Sequence, residues 1–192
     1  MKKLFLSFLI LTAFATASLA QLSGGIRAGL NLTNQKFKSA DFDISETGDM
    51  KAGFQVGLYL VGNLSDNIAF QPEIVYSGFG ANDPDGDSEL GYISIPVLLR
   101  YNFNDLINLH LGPQFGILAS AEFDGQDAKD LYNGLDMGVA VGLGVDFGPF
   151  NAGARYYAGL ANVADNTAIG IDDAKFTNSA IQLVVGYRLF GE

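Results

Sequence analysis

Apolar and polar residues alternate along this chain in short runs and do not gather into helical stripes. Eight segments carry a period of two, at 22–32, 51–62, 67–78, 91–103, 106–120, 135–147, 150–163 and 177–190. That spacing predicts half-buried β-strands. The connections alternate in length. Residues 63–66, the pair Asn104-Asp105 and the pair Gly148-Pro149 are tight turns of turn-forming residues. Residues 33–50, 79–90, 121–134 and 164–176 read as long polar loops. An even number of strands, with short turns at one end and long loops at the other, predicts an all-β fold. Its form is an eight-stranded antiparallel up-and-down transmembrane β-barrel.

The two faces of the strands sharpen this picture. Met137, Val139, Val141, Leu143, Val145 and Phe147 share one face of their segment, opposite Asp136, Gly138, Gly142, Gly144 and Asp146. Ile181, Leu183, Val185, Tyr187 and Leu189 likewise oppose Gln182, Gly186 and Arg188. All four arginines, Arg27, Arg100, Arg155 and Arg188, fall on the polar, glycine-rich face, while Lys36, Lys38, Lys51, Lys129 and Lys175 fall in or beside loops. A soluble sandwich would scatter both kinds of cation over its solvent face. The expectation is an inside-out protein, apolar toward lipid and polar within. Tyr76, Tyr101, Phe103, Phe147 and Tyr187, near strand ends, suit aromatic girdles; the alternative is ordinary core aromatics of a soluble β-protein.

Composition changes the picture at the N-terminus. Lys2 and Lys3 precede an apolar run over 4–15, and small residues lead to Ser18-Leu19-Ala20 before Gln21. This is the pattern of a cleaved signal peptide over 1–20, with an uncleaved anchor as its rival. Removing 20 of the 192 residues leaves 172, a length for one barrel domain over 21–192. Without Lys2 and Lys3 the formal charge moves from −10 to −12, which argues against a nucleic-acid partner. The chain has no cysteine, so disulfides, thiolate metal sites and a lipidated cysteine are excluded.

Several stretches resemble a known family. They are Asn31 after Gly29-Leu30, Phe70-Gln71-Pro72-Glu73-Ile74-Val75-Tyr76-Ser77, and Ile93-Ser94-Ile95-Pro96-Val97-Leu98-Leu99-Arg100-Tyr101. Gly112-Pro113, Asp136-Met137-Gly138, Arg155-Tyr156 with Gly159-Leu160, and Gly186-Tyr187-Arg188 extend the match over the mature chain. Together they resemble the small outer-membrane β-barrel proteins labelled "porin family" or PorT-like. The resemblance implies a barrel in the outer membrane of a Gram-negative bacterium, contacts with outer-membrane lipids, and insertion by the barrel assembly machinery. Such barrels usually end on an aromatic residue, whereas here Gly191-Glu192 follow Phe190.

Eight strands enclose a lumen just wide enough for side chains to fill. Arg27, Gln71, Glu73, Arg100, Asn108, His110, Gln114, Asp146, Arg155, Tyr157 and Arg188 face it, mostly toward the periplasmic half. Glu73 and Arg100 lie on neighbouring strands, as do Asp146 and Arg155, and buried charges require partners. The expected polar network of Arg27, Glu73, Arg100, His110, Asp146, Arg155 and Arg188 plugs the barrel; a narrow channel is the alternative. His110 is the only histidine, which excludes a multi-histidine metal site, and its low position speaks against a catalytic triad. Gly142-Leu143-Gly144 continues a strand and opens no helix, so it is no nucleotide fingerprint. Neither a catalytic residue nor an enzyme is expected.

Asp83, Asp85, Asp87 and Glu89 crowd carboxylates into one loop that could hold Ca²⁺, though without EF-hand spacing. A solvated acidic loop, with no cofactor, is the simpler reading. The four long loops carry fifteen acidic residues, four in each of the first three and three in the last. Such a rim would gather divalent cations bridging to lipid phosphates. The expected role is structural, or binding through the loops to an unidentified extracellular ligand or protein. A secreted lipocalin-like carrier of a small apolar ligand is the second alternative.

Overall fold

The computed structural model describes residues 22–39, 44–47, 49–82, 86–169 and 174–191; the expected leader at 1–20 lies outside them. Ten strands follow in chain order: β1 Leu22–Ser39, β2 Ile44–Thr47, β3 Asp49–Asn63, β4 Ile68–Asn82, β5 Ser88–Asn102, β6 Ile107–Phe123, β7 Gln126–Asp127, β8 Leu135–Phe147, β9 Phe150–Gly159 and β10 Ala174–Phe190. All except β2 and β7 form the wall, each antiparallel to the next in the order β1-β3-β4-β5-β6-β8-β9-β10. β10 then pairs back onto β1, from Gly24↔Phe190 to Ser39↔Ala174. Closure leaves no open edge, which a bilayer does not tolerate. The result is a closed eight-stranded antiparallel barrel, crossing by strands as the alternation predicted. Short β2 and β7 fold back on the upper ends of β1 and β6.

Burial follows the alternation. Ile26, Leu30, Ile74, Leu99, Leu111, Val141, Leu143, Leu183 and Val185 are exposed, while Arg27, Gln71, Glu73, His110, Asp136, Arg155 and Gln182 are buried. In water that distribution would be ruinous; in lipid it satisfies both solvents. The lower aromatic belt joins Tyr101 to Phe103 and Phe150 to Tyr187, each pair 5.1 Å apart, with Phe147 exposed beside them. Higher up, Phe54 and Tyr76 meet at 5.7 Å.

The strands outrun the segments read from the sequence. β1 continues to Ser39, β4 to Asn82 and β6 to Phe123, while β5 begins at Ser88 and β10 at Ala174. Apolar alternation stops where lipid stops, but the backbone ladder continues wherever a neighbouring strand offers partners. β1 has 18 residues, whereas about 9–11 cross a bilayer, so the barrel wall rises well above the membrane. β9 departs the other way, ending at Gly159 short of the expected 163. Val163 there turns inward, fully buried, its N–H donating to Phe176 O at 2.9 Å.

One interruption in the wall is repaired from inside. Between Met50 and Gln55 the β3–β4 ladder slips by a residue. The freed carbonyls of Gly78 and Gly80 accept instead from Asn31 Nδ2 at 3.1 Å and Thr33 Oγ1 at 2.8 Å, both on β1. Inward polar residues of β1 thus replace ladder bonds across the bulge.

Candidate functional site

The lumen has three levels. At the end marked by the short turns, which in such barrels faces the periplasm, a cavity of about 430 Å³ opens among Tyr59, Arg100, Asn102, Asp146, Asn151 and Arg188. Arg100 is ion-paired with Asp146, and its Nε donates to Asn102 Oδ1 at 2.7 Å. Asn108 Nδ2 donates to the same Asp146 oxygen at 2.7 Å. Arg188 stands half-buried on the cavity wall and pairs with no carboxylate among the described residues.

The middle level is a charged knot around Glu73, which is 4% exposed. Arg155 grips it with a fork, Nη1 to Oε2 at 3.0 Å and Nη2 to Oε1 at 2.8 Å. Arg27 Nη1 donates to Oε1 from another side, and Gln71 Nε2 adds a bond of 2.7 Å. Such forked, charge-assisted bonds are the strong kind. Arg27 also lies over the Tyr59 ring, 5.2 Å from its centre. His110 Nδ1 accepts from Arg155 Nε at 3.4 Å.

Partners differ from those that strand adjacency suggested. Glu73 meets Arg27 and Arg155, not Arg100, and Asp146 meets Arg100, not Arg155. Register is the reason. Arg100 sits opposite Ala69, four residues below Glu73, and Asp146 sits opposite Asn151, four below Arg155. Four residues along a strand are about 13 Å, beyond reach, so the arginines span the lumen instead.

Glycine on β8 makes room for these side chains. A Cβ at Gly142 would come within 2.5 Å of Arg155 Cγ, and one at Gly138 within 2.6 Å of Tyr157 Cε2. Gly142→Val is therefore expected to lower stability by about 1–3 kcal/mol through overpacking. Gly134→Ala, where nothing lies within 4 Å, should be near neutral. Urea unfolding of the lipid-reconstituted barrel compares the two.

The top level is apolar. Phe79, Leu90, Tyr92, Leu118, Ala121, Tyr157 and Ala180 form one buried cluster. Phe79 packs edge-on against Tyr92 and Tyr157, each at 5.7 Å. Tyr132 leans on the cluster from the loop above, where burial pushes its phenol pKa up against a hydrogen bond to Ser88. Asn133 stitches two loops over the mouth, donating from Nδ2 to Asn162 O at 3.0 Å and Ala164 O at 2.8 Å. This apolar level escaped the sequence reading because Phe79 and Leu90 fell in expected loops. Their parity, continuing the inward series of Ser77 and Tyr92, was the available signal.

Of the acidic-loop residues, Asp83 and Asp85 lie outside the described residues. Asp87 and Glu89 are exposed and approach Lys51 Nζ at 3.6 Å and 2.9 Å. Among the described residues no group of three metal-ligating side chains converges.

The sequence profile of the outer membrane protein beta-barrel domain matches residues 16–165. The chain belongs to that family. Its place is the outer membrane of a Gram-negative bacterium. Among curated protein sequences none matches it. Among solved structures, this outer-membrane barrel is similar to Neisserial surface protein A, with 13% identity, a TM-score of 0.57, and coverage of 86% of this chain and 97% of that one. It is also similar to Ail, the attachment invasion locus protein of Yersinia pestis, at 17% identity and TM-score 0.50 over 87% and 98% of the two chains. At such identities the likeness concerns the barrel fold.

Proposed function

We propose that this barrel is a sealed scaffold that presents its raised rim and acidic loops to partners outside the cell, and that it conducts no solute. The observation that carries this reading is the double closure of the lumen. A charged knot of Glu73, Arg27 and Arg155 is stacked beneath an apolar plug of Phe79, Leu90, Tyr92 and Tyr157. Opening a path would strip the knot of its partners and expose the plug together, and both steps are unfavourable. A lipocalin-like carrier would need a polar exterior and an open apolar cavity, whereas here the exterior is apolar and the apolar level of the lumen is filled by its own side chains. The role is binding without catalysis, since His110 lies in the lower half of the lumen behind Arg155.

Outer-membrane lipids cover the apolar band, and the assembly machinery inserts it. Above the bilayer the acidic rim repels nucleic acid and gathers divalent cations, Ca²⁺ among them. Ail's name speaks of attachment, a role that a raised rim would serve. Planar-bilayer recording tests the proposal: the purified barrel should give no steady conductance, whereas regular open steps would refute it.

A further inference from the structure

Among the described residues seven buried side-chain polar atoms find no partner in the protein, and four of them, Arg27 Nε, Gln71 Oε1, Asn108 Oδ1 and His110 Nε2, belong to one place. Their residues line one small void between the charged knot and the Arg100–Asp146 pair, about 10 Å³ in volume. A space of that size admits about one water-sized sphere. Gly144 lets the groups converge there. A Cβ at that position would strike Asn108 Oδ1 and lie 3.0 Å from His110 Cε1.

The chemistry of the four atoms is specific. Arg27 Nε–H is a donor. His110 accepts on Nδ1 from Arg155, so its ring proton sits on Nε2, a second donor. The amide orientations are fixed by their nitrogens. Gln71 Nε2 donates to Glu73, and Asn108 Nδ2 donates to Asp146, both at 2.7 Å, which leaves both oxygens as the free acceptors on two residues that line the void. Two donors and two acceptors around a one-sphere space complement water, which donates twice and accepts twice. A halide would face two amide oxygens, and a metal cation would face a guanidinium and an imidazole N–H. Neither fits.

We infer that a single ordered water molecule is a built-in part of the lumen, joining Arg27, Gln71, Asn108 and His110. It bridges the charged knot to the Arg100–Asp146 pair. Its route of exchange is the periplasmic cavity, because Tyr59, Arg100, Asp146 and Asn151 line both spaces. On the other side Tyr92, Tyr157 and Phe79 shut it off from the cell exterior.

A high-resolution crystal structure of the full barrel, with a second crystal soaked in bromide, tests this. One density peak within hydrogen-bond distance of all four atoms, without anomalous signal after soaking, is the expected result. A bromide peak in the void would make it an anion site and overturn the inference, as would side chains repacked to pair with one another. In solution, Arg27 Nε–H and His110 Nε2–H should both show cross-peaks to a slowly exchanging water; loss of both would count against it. Neither readout depends on conductance, so this inference and the sealed-scaffold reading fail separately.

Discussion

Glu73→Gln is expected to destabilise the barrel by about 3–5 kcal/mol, the range for removing one partner of a buried ion pair. The substitution preserves shape while deleting the countercharge of two guanidiniums and replacing one acceptor oxygen by an NH2 donor that faces their N–H groups. Arg27 and Arg155 are 4% and 3% exposed, so solvent cannot replace it. Asp146 is already engaged by Arg100. The urea midpoint in lipid vesicles, with heat-modifiable gel mobility as a check of folding, measures the loss. A change below about 0.5 kcal/mol, the level of an ordinary surface substitution, would show that the knot contributes little. Replacing the whole knot, with Arg27→Met, Glu73→Leu and Arg155→Met together, should return stability to near its starting value. A buried triad exchanged for apolar groups leaves no orphaned charge.

Val141→Arg should cost about 2–4 kcal/mol, as for a cation placed near the bilayer midplane, and Leu135→Arg about 0–1 kcal/mol near the interface. Both residues are exposed on the outer wall of β8, at its middle and at its upper end. The contrast between them tests orientation as well as burial. Equal effects at the two positions would mean that the exposed band is not a lipid-facing band with a hydrocarbon centre.

Much of the fold was legible because a closed barrel is written locally. Period two decides which side chains face out, and a turn such as Gly148-Pro149 decides where the chain reverses. Gly148, at φ 58°, adopts the left-handed conformation such a turn requires. Strand ends were less legible. The ladder beyond the membrane is held by backbone pairing between residues such as Lys36↔Thr177 and Lys38↔Lys175, whose side chains carry no apolar signal. The site was legible as a set of inward residues and illegible as a set of contacts. Asn102, Asn151 and Tyr59 link the charges, yet each reads in sequence as an unremarkable turn or strand residue.

By itself, the chain's alternation determined an inverted barrel of eight strands with guanidinium groups inside and aliphatic groups outside, since each strand sorts its neighbours into two solvents independently. Which carboxylate meets which arginine was decided only in three dimensions. Register offsets of four residues set Arg100 below Glu73 and Asp146 below Arg155, and only the closed wall brings Arg155 of β9 across the lumen to Glu73 of β4. The apolar plug has the same origin: Phe79, Leu118 and Tyr157 are far apart in the chain and become one cluster because closure points them at a common axis.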